Sequence, residues 1–157
     1  MDAITITPIQ ARKAWSHADD NGKLLLDNLL GKDKFQPRDI TDIIKTVNDA
    51  YDYTGNIRVD YSIVPEYRRE YIQAVDDAAV IIEALNEGWF PDWDDSKEPK
   101  YTPWYKMSPS AFAFLRSSYA DSLADAGSGS RLRLKSKALS DYFATQFPDI
   151  CRKIQLG

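Results

Sequence analysis

Trp89, Trp93 and Trp104 lie in one stretch, NEGWFPDWDDSKEPKYTPWY, residues 86–105, which Tyr105 closes. Further on, RLRLKS sets Arg131, Arg133 and Lys135 at alternate positions, with Lys137 just beyond. Aromatic rings stack on bases and alternating cations hold phosphates, so these residue types suit a nucleotide or a single strand of nucleic acid. In an antiparallel strand the alternation turns Leu132 and Leu134 inward and the three cations outward. An outward strand face is also where charge belongs in any half-buried sheet, and that is the plainer account of the pattern.

The other reactive groups are less complete. Asp92, Asp94, Asp95 and Glu98 crowd one loop and offer oxygen ligands to a hard cation. They lack the alternating acidic pattern with a distal glutamate, so the expectation is solvated acids, Asp92 capping a local turn, and no metal. GSGSR, residues 127–131, presents amides to a phosphate or simply turns the chain. GKLLLDN has neither the upstream glycine nor the Ser/Thr that a phosphate loop needs. His17 is the only histidine, two positions after Trp15, and reads as a surface residue rather than a general base. Cys151, the only cysteine, reads as a small buried thiol beside Ile150. A lone cysteine excludes an internal disulfide and every multi-cysteine zinc site. No catalytic set emerges, and no cofactor is implied.

With 157 residues, 43% of them apolar, the chain fits a single domain over 1–157 that buries a core without staples. No apolar run approaches the roughly 18–20 residues that span a bilayer. MDAITITPIQARKAW lacks a basic region followed by an apolar stretch, so no secretory signal is expected. A cytoplasmic protein with no membrane partner is the simplest expectation. Residues 1–99 carry 11 Lys/Arg against 20 Asp/Glu, and residues 100–157 carry 9 against 4. The basic second half can form a phosphate face or neutralise the first half by packing on it. A pI near 5.0 favours packing.

The elements that must position these groups start with a helix capped by Thr7, with Pro8 in its first turn and Ile9, Ala11, Ala14, Trp15 and Ala18 on its apolar face. Asp20-Asn21-Gly22 interrupts it, and Lys23 to Leu30 resumes as a helix ended by Gly31. Thr46 and Asp49 open another, which Gly55 stops. IRVDYSIV alternates, with Ile57, Val59, Tyr61 and Ile63 on one side, as a short strand or extended connection. A long helix follows, about Glu66 to Glu87, with Tyr67, Tyr71, Val75, Ala78, Ala79, Ile82 and Leu85 at helical spacing and Gly88 as its left-handed stop. Lys100 to Met107 and Ala111 to Arg116 read as strands, with Pro103 marking an edge. RLRLKS reads as a further strand, and Tyr119 to Ala126 as either sheet or loop. Ser136 caps a last helix with Leu139, Tyr142, Phe143, Phe147, Ile150 and Ile154 inside, which Pro148 kinks or restarts. The expected fold class is α+β: amino-terminal helices, a long central helix, and a small antiparallel sheet closed by a carboxy-terminal helix.

Asn86-Glu87-Gly88-Trp89, Pro91-Asp92-Trp93, Lys100-Tyr101, Pro103-Trp104, Ser130-Arg131-Leu132, Lys135-Ser136 and then Leu139, Tyr142 and Phe147 occur in an order that resembles a family of uncharacterised proteins. That family recurs in gut Bacteroidota and in the phages that infect them. LLGKDKF and ITDIIKTVNDA are similar to its usual opening, so the resemblance covers nearly the whole chain. It implies a phage or mobile-element origin and no particular reaction. Two departures are Pro148, within a segment usually helical throughout, and Arg133-Leu134, where cysteine and an aromatic are common.

The resulting expectation is a small non-enzymatic binding or accessory protein of phage or mobile-element origin, working in the host cytoplasm on a host protein or a nucleotide-like ligand. The alternative is a nucleotide or single-strand binder, for example one sequestering host signalling nucleotides, built from Trp89, Trp93, Trp104, Tyr105, Arg131, Arg133 and Lys135. Against a binding platform stands a structural reading of residues 86–105 as a helix-to-strand crossover. There Trp89 and Trp93 fold back over the long helix, Trp104 packs inward from the first strand, and the acids face solvent.

Overall fold

The computed structural model describes residues 5–35, 39–108, 111–121 and 131–156, which form seven α-helices and one two-stranded antiparallel sheet. α1 (Pro8–His17) and α4 (Val47–Thr54) open by the same device. The Thr7 hydroxyl accepts the Gln10 amide while the Gln10 side chain accepts the Thr7 amide, and Thr46 and Asp49 exchange the same two bonds. Each reciprocal cap satisfies amides that a helix start otherwise leaves bare. α2 (Asp20–Leu30) is capped by Asp19, whose carboxylate accepts the Gly22 amide at 2.8 Å. Asp20-Asn21-Gly22 therefore belongs to α2, and the anticipated break falls at Ala18–Asp19 instead. Gly55 ends α4 at φ +75°, and a Cβ there would meet Thr7 Cγ2 at 2.3 Å, so glycine is needed on both counts.

A 3₁₀ turn (Lys32–Phe35) and the short α3 (Ile40–Ile43) follow α2, neither of them anticipated. Between α4 and α5 (Glu66–Asn86) the described chain forms no strand. Nor do Ile57, Val59, Tyr61 and Ile63 form one covered side: Ile57 and Ile63 are each 89% exposed, while Tyr61 is half-buried. Polar groups fix this connection. Tyr61 donates to Asp76 at 2.6 Å, Asn56 to Glu83 at 2.9 Å, and Arg69 to the carbonyls of Tyr61, Ser62 and Val64. Without a neighbouring strand to supply a ladder, side chains meet the backbone's hydrogen-bonding demand.

α5 buries Ala74, Ala78, Ile81, Ile82 and Leu85 at three- and four-residue steps. Tyr67 and Tyr71, expected on that inner face, are exposed, so the covered stripe begins only at Ala74. Glu87 already takes the left-handed conformation at φ 52°, one residue before Gly88. β1 (Lys100–Ser108) and β2 (Ala111–Ala120) form the hairpin. α6 (Lys137–Gln146) starts on the Ser136 cap, and Pro148 opens α7 (Pro148–Leu156) after a break at Phe147. The core gathers Ile44, Tyr51, Ile81, Leu85, Leu134, Phe143, Phe147 and Cys151. The architecture is α+β, with the long central helix and carboxy-terminal helix expected. No helix among the described residues is long and apolar enough to cross a membrane.

Candidate ligand-binding face of the hairpin

β1 and β2 pair Lys100 with Ala120, Thr102 with Ser118 and Trp104 with Arg116, then Tyr105 with Phe114. Leu115 is the extra residue of a β-bulge at that step. Side chains alternate between faces along each strand, and the bulge resets the alternation of β2 by one. Arg116 thus shares a face with Trp104, and Phe114 shares the opposite face with Tyr105. The inner face is identified by its contacts. Ser117 bonds Ser140 of α6 at 2.7 Å, and Tyr105 stacks on Phe112 at 4.6 Å with Phe114 at its edge. The Tyr105 hydroxyl lies against the Cys151 thiol of α7. Burial pushes the Tyr105 hydroxyl well above the ordinary tyrosine range and Cys151 up to about 11, which leaves the thiol protonated and unreactive at neutral pH.

The outer face carries Lys100, Thr102, Trp104 and Lys106 from β1 with Ala120, Ser118, Arg116 and Ala113 from β2. Its two ends differ. The Lys100 end is covered by the crossover, residues 87–99. Lys100 is fully buried, and its ammonium donates to the carbonyls of Asp95 at 3.0 Å and Glu98 at 2.8 Å. It also lies 3.3 Å from the Glu98 carboxylate and 5.4 Å from the Trp93 ring centroid. Glu98 accepts the Trp89 indole at 2.9 Å and the Asp92 amide at 2.8 Å. These bonds, the Asp92 amide first, hold its carboxyl below the usual glutamate range. Asp92 and Asp95 accept amides within the loop. The cation of this acidic loop is therefore a lysine, and Glu98 is a structural acceptor rather than a solvated acid. Among the described residues no group of three or more His, Cys, Asp or Glu side chains could hold a metal.

The other end is open. Trp104 is 53% exposed, with Arg116 across from it and Lys106 two residues along, both exposed. Directly paired side chains stand about 5 Å apart at Cβ. Neither cation makes an ion pair among the described residues, and β1 and β2 contain no acid. Trp104 thus faces outward, against the inward packing expected of it.

The anticipated platform is dispersed. Trp89 and Trp93 are half-buried in the crossover, and Tyr105 turns to the inner face. RLRLKS forms no strand beyond one bridge, in which Leu134 and Tyr101 exchange two bonds of 3.0 Å. Asn86 captures this segment from the end of α5, donating to the Arg133 carbonyl at 2.7 Å and accepting the Lys135 amide at 3.0 Å. Arg133 is consequently buried at 3% exposure, and Lys135 pairs with Glu87 at 3.1 Å. Only Arg131 of the three cations stays exposed. Residues 127–130 of the glycine-serine turn, and 122–126, lie outside the described residues. His17 is exposed, its Nδ1 donating to the Lys13 carbonyl at 2.8 Å.

Lys106 and Arg116 were not singled out in the sequence. Trp104-Tyr105-Lys106 carries the alternation that groups Trp104 with Lys106, but the bulge that brings Arg116 opposite has no local signature. A tyrosine–carboxylate cluster was missed as well. The Tyr51 hydroxyl lies 3.1 Å from both Asp76 and Asp77, Tyr61 shares Asp76, and Arg58 stacks on Tyr51 at 4.2 Å. Burial and the two acids push both phenols above their ordinary range. Its groups satisfy one another, and it fastens residues 56–64 to α5. Compared with protein-family models, curated proteins and solved structures, the chain matches none.

Proposed function

We propose that the chain is a small non-enzymatic binding or accessory protein, of the phage or mobile-element origin that the resemblance implies, acting through the outer face of the β1–β2 hairpin. A host protein or a nucleotide-like molecule is the class of ligand such a face takes. One observation carries the reading: Trp104 stays half in solvent beside Lys106 and Arg116, neither of them ion-paired among the described residues. An indole gains most when buried, and exposed aromatic and arginine side chains are what binding surfaces concentrate. The test is recovery from host lysate by immobilised wild type and Trp104→Ala. A component retained by the wild type and lost from the variant supports the reading. Equal retention, or nothing retained by either, counts against it.

A further inference from the structure

We infer that the open end of the outer face is a site for single-stranded nucleic acid, with Trp104 stacking on a base and Lys106 and Arg116 holding the flanking phosphates. This rests on the reading of that face as the binding surface and names what it takes. The chain's other tryptophans are all half-buried, and the indole nitrogens of Trp15 and Trp89 donate to Asp27 and Glu98. Trp104 is the exception in its exposure, at 53%. Lys100, Lys135 and Lys137 each meet a carboxylate, whereas Lys106 and Arg116 meet none among the described residues. Ring and cations therefore stand together with their interactions unspent, on a hairpin free of acids.

Shape selects the polymer. Trp104 and Lys106 are two residues apart along β1, about 7 Å, comparable with the length of one extended nucleotide. A mononucleotide site is concave and encloses most of its ligand, but an exposed ring on a two-stranded ribbon offers one stacking face and little enclosure. A strand recovers the difference through contacts from successive nucleotides. Duplex hides its base faces in the stack, so it cannot use the indole. Lysine is depleted in protein–protein interfaces, which places a polyanion ahead of an ordinary protein partner. The chain's net charge of −4 opposes long-range attraction, so binding depends on these local contacts and on low salt.

The test is fluorescence anisotropy of labelled oligothymidylate at low salt, with unlabelled duplex and thymidine monophosphate as competitors. Wild type binds the oligomer. Trp104→Ala weakens binding roughly 5- to 150-fold, while Trp104→Phe keeps most of it. Lys106→Ala with Arg116→Ala lowers the slope of log affinity against log salt by about 1.4. Circular dichroism melting of each variant confirms folding. The inference is overturned if the oligomer does not bind, if Trp104→Ala binds as wild type, or if duplex or the mononucleotide competes as well as the single strand. Should the oligomer fail while a lysate component is still lost on Trp104→Ala, the ligand is wrong and the face stands. Failure of both removes the face as well.

Discussion

At one end of the hairpin's outer face Lys100 is wholly buried under the crossover, its ammonium divided among Glu98, two carbonyls and the Trp93 ring. At the other end Lys106 is exposed beside Trp104, with no ion pair among the described residues. Both ends juxtapose lysine with tryptophan, and what separates them is Glu98. Where an acid and a covering loop are supplied, the pair becomes structure. Where neither is supplied, it remains available to a ligand. An aromatic-and-basic composition alone therefore does not locate a binding surface; the carboxylate count around each cation does.

The comparison predicts unequal costs. Lys100→Ala should be the most damaging, about 3 kcal/mol in urea unfolding, because it removes a buried ammonium and leaves the Asp95 and Glu98 carbonyls without their donor. A loss near zero would mean that the covered end is not organised by that ammonium. Asn86→Ala should cost about 2 kcal/mol, since the Arg133 carbonyl and the Lys135 amide both lose the same buried side chain. Trp89→Phe, which keeps the ring but removes the indole bond to Glu98, should cost about 1 kcal/mol. Trp104→Ala should lie within about 0.5 kcal/mol of wild type, as surface changes do. A larger loss would make the open end structural too.

Glu98 adds a pH signature. Its folded-state pKa is lowered from an ordinary 4.5, so its stabilisation is fully present above that value and is lost as pH falls through the lowered one. Urea midpoints should therefore drop below about pH 4.5 in the wild type and drop less in Glu98→Gln. Identical acid profiles would remove Glu98 from the account.

What could be read from the sequence was local. Thr7 with Pro8, Thr46 with Asp49, Gly55, Ser136 and Pro148 each mark a helix boundary through groups within a few residues, and each boundary lies where expected. What could not be read depended on distant partners. Arg133 turns inward because Asn86, 47 residues earlier, holds the carbonyl of that segment. Trp104 turns outward because the inner face is taken by Tyr105 and Ser117, and Arg116 joins it through a bulge that pattern alone does not reveal. Of the anticipated residues, Trp104 lies on the open end of the outer face beside Lys106 and Arg116, Tyr105 lies on the inner face, and Arg133 is buried.

Photo-crosslinking would locate a bound strand on the hairpin. A single-stranded oligomer carrying 5-bromouracil would be irradiated with the wild-type protein at low salt, and the adduct mapped by peptide mass. Attachment is expected within residues 102–107, at Trp104. Attachment confined to the segment around Arg131, or to Trp89 and Trp93 in the crossover, would remove the open end of the hairpin as the site.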